Sequence, residues 1–233
     1  MKKRFFPIIV CCCLLTACAP SHAAEPTTQP AAETTQAPVT ETTAVTEPTA
    51  APVRVSPMPA AVDMNELDNC TVAVSLKEGD AYVDDEGAMQ MKLTVYTYDR
   101  YDMVDIAQLK AGDTLVIDGQ EIAVASVEHG GQGGILVNGG LENDGYTLRT
   151  EEDGTFLVSL ENDAKSWYAL GETTIRVSPD FLFIDNAQQP PVTYYPGDFL
   201  VEGTGIDYDF TPYNTTVTIE NGRIIAMNRV FVP

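Results

Sequence analysis

A nucleophile needs a base within reach, and this chain has few parts for such a pair. It carries five cysteines, two histidines and one tryptophan. Cys11, Cys12, Cys13 and Cys18 lie in or at the end of an N-terminal apolar stretch, and His22 follows closely, which leaves Cys70 and His129 in the rest of the chain. A reactive thiol needs a neighbouring cation or base to lower its pKa. Cys70 sits in LDNCTVAV, at the start of a strand pattern with no cation beside it, and reads as a buried structural residue. His129, in VEHGGQGG, reads as a loop residue. With a single cysteine in the domain, an intradomain disulfide is excluded.

Oxygen chemistry is better supplied. Carboxylates gather at Asp84, Asp85 and Glu86, at Glu151, Glu152 and Asp153, and at Asp207 and Asp209. Glycoside hydrolysis uses two carboxylates facing each other across a cleft, a geometry that abundance alone does not establish. Calcium takes six to eight oxygen ligands, and loops such as YVDDEG and LENDGY offer carboxylates and carbonyls together, although none has the spacing of an EF-hand. The run Gly130-Gly131-Gln132-Gly133-Gly134 lacks the Lys and Ser/Thr of a phosphate loop and reads as a hairpin tip. Tyr96, Tyr98 and Tyr101, then Trp167 and Tyr168, then Tyr194 and Tyr195 are candidates for a sugar-stacking platform.

Charge narrows the partners. The chain has 13 Lys and Arg against 34 Asp and Glu, a net charge of −21, which excludes a general nucleic-acid binder. Its apolar runs fall short of the roughly 18 residues that span a bilayer.

The N-terminus sets Met1-Lys2-Lys3-Arg4 before an apolar run from Phe5 to Leu15, followed by Thr16-Ala17-Cys18. A cationic start, a short apolar run and small residues before a cut site compose an export signal. Leu15-Thr16-Ala17-Cys18 resembles the lipobox of bacterial lipoproteins. The resemblance covers the first eighteen residues and implies cleavage after Ala17, with attachment of a diacylglycerol to the Cys18 thiol. Residues 1–17 are then signal peptide. Loss of Lys2, Lys3 and Arg4 leaves 10 basic residues against 34 acidic ones, a net charge of −24. Such a body is repelled by an anionic envelope surface.

From residue 18 to 57 the chain is rich in Thr, Pro, Ala and Glu and poor in large apolar residues. That composition offers too little burial to offset ordering entropy, so a disordered stalk is expected. At about 3.1 Å per residue, a polyproline-like stalk would reach on the order of 120 Å. A spacer of that reach suits a thick, Gram-positive type of wall.

Residues 58–233 read as one β-rich domain. Thr215–Glu220 and Arg223–Val230 flank Asn221-Gly222, a dipeptide suited to a type I′ turn. The resulting register pairs Ile219 with Ile224, Val217 with Ala226 and Glu220 with Arg223. A second hairpin in AGDTLVIDGQEIAVASV places Leu115, Ile117, Ile122 and Val124 on one face, with the bend at Asp118-Gly119 or Gly119-Gln120. Further strands are expected at 71–76, 91–98, 135–138, 146–150, 155–160, 173–177, 181–184 and 199–202. Helical turns are expected near 62–67 and 104–110, capped by Asp63 and Asp105. Short strands punctuated by Gly, Asn and Asp indicate an all-β fold of antiparallel sandwich or barrel-like sheets with minimal helix. DIAQLKAGDTLVIDGQEIAVASVE resembles the entry into small β-barrels of many unrelated proteins, which implies a barrel-like first half, Asn69 to about Thr150, followed by a second β region.

The functional expectation is a lipid-anchored protein on the outer face of the cell membrane, with a non-catalytic β domain that binds a glycan or envelope protein or serves as a structural module. Its membrane contact is the lipid on Cys18, and no cofactor other than calcium is expected. The alternatives are a cell-wall or glycan hydrolase using paired carboxylates, and a calcium-dependent carbohydrate- or protein-binding module.

Overall fold

The computed structural model describes residues 51–232. Its strands are β1 (Arg54–Val55), β2 (Cys70–Ser75), β3 (Ala81–Val83), β4 (Met89–Thr97), β5 (Arg100–Tyr101), β6 (Thr114–Ile117), β7 (Gln120–Ala123) and β8 (Val127–His129). They continue with β9 (Ile135–Val137), β10 (Tyr146–Thr150), β11 (Phe156–Ser159), β12 (Tyr168–Asp185), β13 (Val192–Tyr194), β14 (Thr215–Glu220) and β15 (Arg223–Arg229). The α-helix is a short one, α1 (Met103–Ala107), joined by brief 3-10 turns. The fold is all-β with minimal helix, and none of the described helices is long and apolar enough to cross a membrane.

Five strands close on themselves. The order β12-β15-β14-β2-β4 returns to β12, because β12 pairs β4 along its first half and β15 along its second. Closure removes most free edges from the sheet. Only β3, beside β4, and β13, beside β12, remain as short flanking strands. Inward residues such as Val74, Met91, Val95, Phe183, Val217 and Ile219 are fully buried and fill the barrel. A second unit holds β5-β11-β10-β9-β8 as one sheet and β1-β6-β7 as another, around a core that includes Tyr101, Leu115 and Leu148.

The barrel is therefore built from both ends of the domain, with the second unit inserted between β4 and β12, where the sequence suggested a barrel in the first half and a β region after it. The barrel-like phrase at residues 105–128 supplies α1, β6 and β7 to the inserted unit. Its hairpin turns at Asp118-Gly119, both with positive φ, and pairs Leu115 with Ile122. The ordered domain also begins before residue 58, because Val55 is buried and Arg54 and Val55 pair in parallel with Thr114 and Leu115. Asp113 holds this strap, its carboxylate accepting from Val53 N at 2.8 Å and Lys110 N at 3.0 Å.

Local departures have local causes. Asp102 caps α1, accepting from Val104 N at 2.7 Å, so the helix starts earlier than a cap at Asp105 allows. Residues 62–67 form turns in which Asp63 accepts from Asn65 N at 2.8 Å. The strand expected at 199–202 is replaced by a 3-10 turn, Pro196–Leu200, that begins with a proline and buries Phe199. In the terminal hairpin, Ile219 pairs with Ile224 and Glu220 with Arg223 as the turn dictates. Beyond them a bulge at Ile225 shifts the register, so Val217 pairs with Met227 in place of Ala226.

Candidate functional site

The barrel end formed by β12 and β15 opens into a cleft of about 680 Å³. Its lining comes from the loop after β12 (Ala187, Gln188), the loop before β14 (Gly205 to Asn214) and the end of β15 with the tail that follows (Arg229 to Val232). The site rests on a buried charge pair. Asp185 and Arg229 are register partners on parallel strands, with relative exposures of 0% and 3%. Arg229 Nε donates to Asp185 Oδ1 at 2.9 Å, and Nη2 donates to Oδ2, giving a two-pronged pair. Arg229 Nη1 donates to the carbonyl of Asp207 and ties the cleft loop to the barrel floor.

The carboxylate of Asp185 has further donors in Ala187 N at 3.1 Å and Gln188 Nε2 at 2.8 Å. Burial pushes its pKa up, but Arg229, Gln188 and the Ala187 amide outweigh that and hold it below the ordinary carboxylate value. Arg229 is held more firmly charged by hydrogen bonding to Asp185, against the opposing effect of burial. Its guanidinium carbon lies 4.9 Å from the centroid of the Phe210 ring and 5.7 Å from that of Phe183, within cation–π range. Phe183 in turn stacks on Tyr194 at 5.4 Å, and the Tyr194 hydroxyl donates to the Gly205 carbonyl at 3.1 Å.

The loop above this floor is fixed by its own polar groups. Asn214 accepts from Thr211 N at 2.9 Å and from Thr215 Oγ1 at 2.6 Å, and its amide donates to Asp209 O at 2.9 Å. Asp207 accepts from Asp209 N at 3.3 Å. Asp207 and Asp209 are exposed, and the Asp209 carboxylate has no protein partner among the described residues. Tyr213 and Phe231 line the same cleft at 45% and 69% exposure, so rings and hydrogen-bond acceptors border one concavity. That combination matches a polyhydroxylated ligand, whose C–H faces lie against rings while its hydroxyls donate to carboxylates and amides.

Of the residues singled out in the sequence, Asp207 and Asp209 are in this cleft; Asp185, Gln188, Tyr213, Arg229 and Phe231 are additions made by the fold. Cys18 lies outside the described residues. Cys70 opens β2 of the barrel and His129 ends β8 of the inserted unit, so they stand in separate sheets. Cys70 is half-buried, and burial together with the charge of Asp68 raises its pKa, which disfavours the thiolate. Gly130 to Gly134 forms the β8–β9 hairpin loop, closed by Gly130 N donating to Gly134 O at 2.8 Å.

Of the remaining acids, Asp84, Glu151 and Asp153 serve turns and ion pairs. Asp84 accepts from Glu86 N, Ala88 N and Gln90 Nε2, organising the turn between β3 and β4. Asp153 accepts from Thr155 N and Oγ1, while Glu151 pairs with Lys165 at 2.8 Å. No group of three or more His, Cys, Asp or Glu side chains converges as a metal cage among the described residues.

The aromatic platform is dispersed by the fold. Tyr98 and Trp167 do meet, edge to face at 4.9 Å, but Lys165 Nζ lies 4.2 Å from the centroid of the Tyr98 ring. Tyr96 is half-buried and its hydroxyl bonds with that of Ser75. Tyr101 and Tyr194 are buried, Tyr168 bonds Asp99, and Tyr195 alone of the seven residues is exposed.

The fold and the cleft define a β-barrel domain with an inserted β unit and a ring-bordered polar concavity at a barrel end. No family model matches the chain, and no curated protein or solved structure matches it significantly.

Proposed function

We propose that this chain is a lipid-anchored surface protein, held to the outer face of the cell membrane through Cys18 and displayed on its Thr/Pro-rich stalk, whose β domain binds glycan without catalysis. The anchoring rests on Leu15-Thr16-Ala17-Cys18 and the charged start before it. The single observation that carries the binding reading is the cleft in which exposed Tyr213 and Phe231 stand beside Asp207, Asp209 and Gln188, over a floor fixed by the buried Asp185–Arg229 pair. A net charge of −21 in the full chain favours neutral over polyanionic glycans.

The test is the thermal midpoint of the full-length chain with neutral wall and host oligosaccharides, each in EDTA and in calcium. A ligand at 100 times its dissociation constant adds about 2.7 kcal/mol, which raises the midpoint by several degrees in a domain of this size. The expected result is a shift with at least one neutral glycan that disappears in Tyr213→Ala. A shift that requires calcium would assign the ion to the glycan site. No shift with any glycan would overturn the reading. Anchoring is tested by radiolabelled lipid incorporation, which Cys18→Ala should abolish.

The hydrolase alternative draws on Asp207 and Asp209 in the same cleft. Both come from one loop, two residues apart, whereas glycoside hydrolysis places its carboxylates on either side of the scissile bond. Glycan turnover abolished by Asp209→Asn would establish that alternative.

A further inference from the structure

The barrel retains an open edge at β3. This strand pairs only with β4, with Ala81, Tyr82 and Val83 opposite Met91, Gln90 and Met89. Lys92 N donates to Asp80 O and Asp84 N donates to Ala88 O, so the hydrogen-bonded pairs of this antiparallel ladder fall at residues 80, 82 and 84. The N–H and C=O groups of Ala81 and Val83 therefore point away from β4. Among the described residues no hydrogen bond occupies them, and of the two Val83 is open at 51% exposure while Ala81 is buried at 8%.

A groove of about 660 Å³ runs between this edge and the loop from Phe199 to Ile206. Part of its apolar lining is open to water, with Tyr82 44% exposed, Val83 51%, Leu200 42% and Val201 63%, while Ala81 and Phe199 are buried. The charged residues of the lining are Glu78 and Glu202, and no Lys or Arg lines it. Asp80 precedes the strand and Asp84, Asp85 and Glu86 follow it.

Proteins usually blunt an exposed edge with charge. Here the charges lining the groove, Glu78 and Glu202, are acidic, Lys77 lies outside the lining, and the strand itself is apolar. A second copy pairing edge to edge in antiparallel fashion would set acids against acids. A cationic segment meets the opposite situation: its backbone bonds the outward groups of Val83, its alternate apolar side chains enter the groove, and its Lys or Arg side chains reach Glu78 and Glu202. We infer that the β3 edge and its groove form a docking site for an extended, basic segment of another protein, held by β-strand addition. This groove shares Gly205 with the glycan cleft but is otherwise lined by different residues, and the proposal does not rest on the glycan reading.

The test uses fluorescence anisotropy of a short labelled peptide of alternating valine and lysine with the full-length chain. The expected result is saturable binding that weakens as salt rises, falls at least tenfold when alternate peptide amides are N-methylated, and is absent for a valine–glutamate peptide. Val83→Pro removes an outward N–H that β4 does not use, and it should weaken binding at least tenfold. Because proline also strains the hairpin in its own right, Val201→Ser, at an exposed loop position, provides the second variant and should weaken binding with the thermal midpoint unchanged. Equal binding of the N-methylated peptide, or unchanged affinity in both variants, would overturn the proposal. So would self-association of the chain through this edge.

Discussion

Asp185 and Arg229 lie opposite one another on the parallel strands β12 and β15, and each is nearly inaccessible to water. Their two-pronged pairing joins the C-terminal strand to the long strand that closes the barrel, and the third bond of Arg229, to the Asp207 carbonyl, carries that junction into the cleft. A buried pair is costly to break from one side, because the survivor keeps its charge without its partner. Arg229→Met is therefore expected to lose about 3–5 kcal/mol of folding stability. The double variant Asp185→Leu/Arg229→Met should lose less than the two single variants together, since no buried charge remains. Urea unfolding of the four proteins checks this, and additive losses would show that the pair is not coupled.

The same pair sets an acid limit. Asp185 has its pKa lowered in the folded protein, so the native state binds fewer protons there than the unfolded chain. The resulting stability is present above the unfolded value of about 3.9 and is lost as pH falls through the lower folded value. A plot of stability against pH should drop below about pH 4, and the Asp185→Leu/Arg229→Met variant should show a shallower drop. Identical slopes would assign the acid transition to other carboxylates.

The strands around this pair were legible in the sequence, but the pair was not. Counting inward from the Asn221-Gly222 turn by strict alternation puts Ile224, Ala226 and Asn228 on the barrel face and sends Arg229 to solvent. The bulge at Ile225 reverses the parity, so Ile224, Met227 and Arg229 face inward. Ile224-Ile225-Ala226-Met227 is apolar on both faces, and no pattern in it marks where the extra residue falls. Ser178-Pro179-Asp180 misled in the other direction, reading as a break where one strand runs from Tyr168 to Asp185. Its pairing with β15 shifts register between Val177 and Leu182, and an irregular stretch is where a strand tolerates proline. Barrel closure between β4 and β12, across the whole inserted unit, is a non-local pairing that no short window of sequence contains.

At high pH the limit falls to tyrosines near Asp99. Tyr168 donates to Asp99 Oδ1 at 2.9 Å, and burial together with that bond pushes its pKa up to about 12. Buried Tyr101, whose hydroxyl donates to Val116 O at 2.8 Å, is also raised, first by burial and then by the charge of Asp99. Raised values mean that the folded state holds these protons longer than the unfolded chain. Their contribution to stability is complete below the unfolded value of about 10 and disappears as pH rises through the folded values. Ultraviolet titration should show a tyrosinate fraction that appears only above that value, together with loss of β-sheet circular dichroism. Tyr168→Phe should flatten the fall in stability between pH of about 10 and about 12.

Two glycines in hairpins separate backbone strain from backbone contact. Gly222 ends the turn between β14 and β15 with φ of 67°, and a Cβ built there would meet nothing within 4 Å. Gly222→Ala should cost only the left-handed penalty, roughly 1–2 kcal/mol. Gly145, just before β10, has no positive φ, but its Cβ would lie 2.3 Å from Val137 O and 2.5 Å from Asn138 O. Those atoms belong to backbone at the end of β9, which pairs with β10 through Val137 and Tyr146, so relief requires the hairpin itself to shift. Gly145→Ala should therefore destabilise more than Gly222→Ala, at the upper end of the roughly 1–3 kcal/mol typical of overpacking or beyond it. It should also loosen amide-exchange protection across β9 and β10. The opposite ranking in denaturant unfolding would mean that the close approach of residue 145 to the β9 carbonyls does not persist in solution.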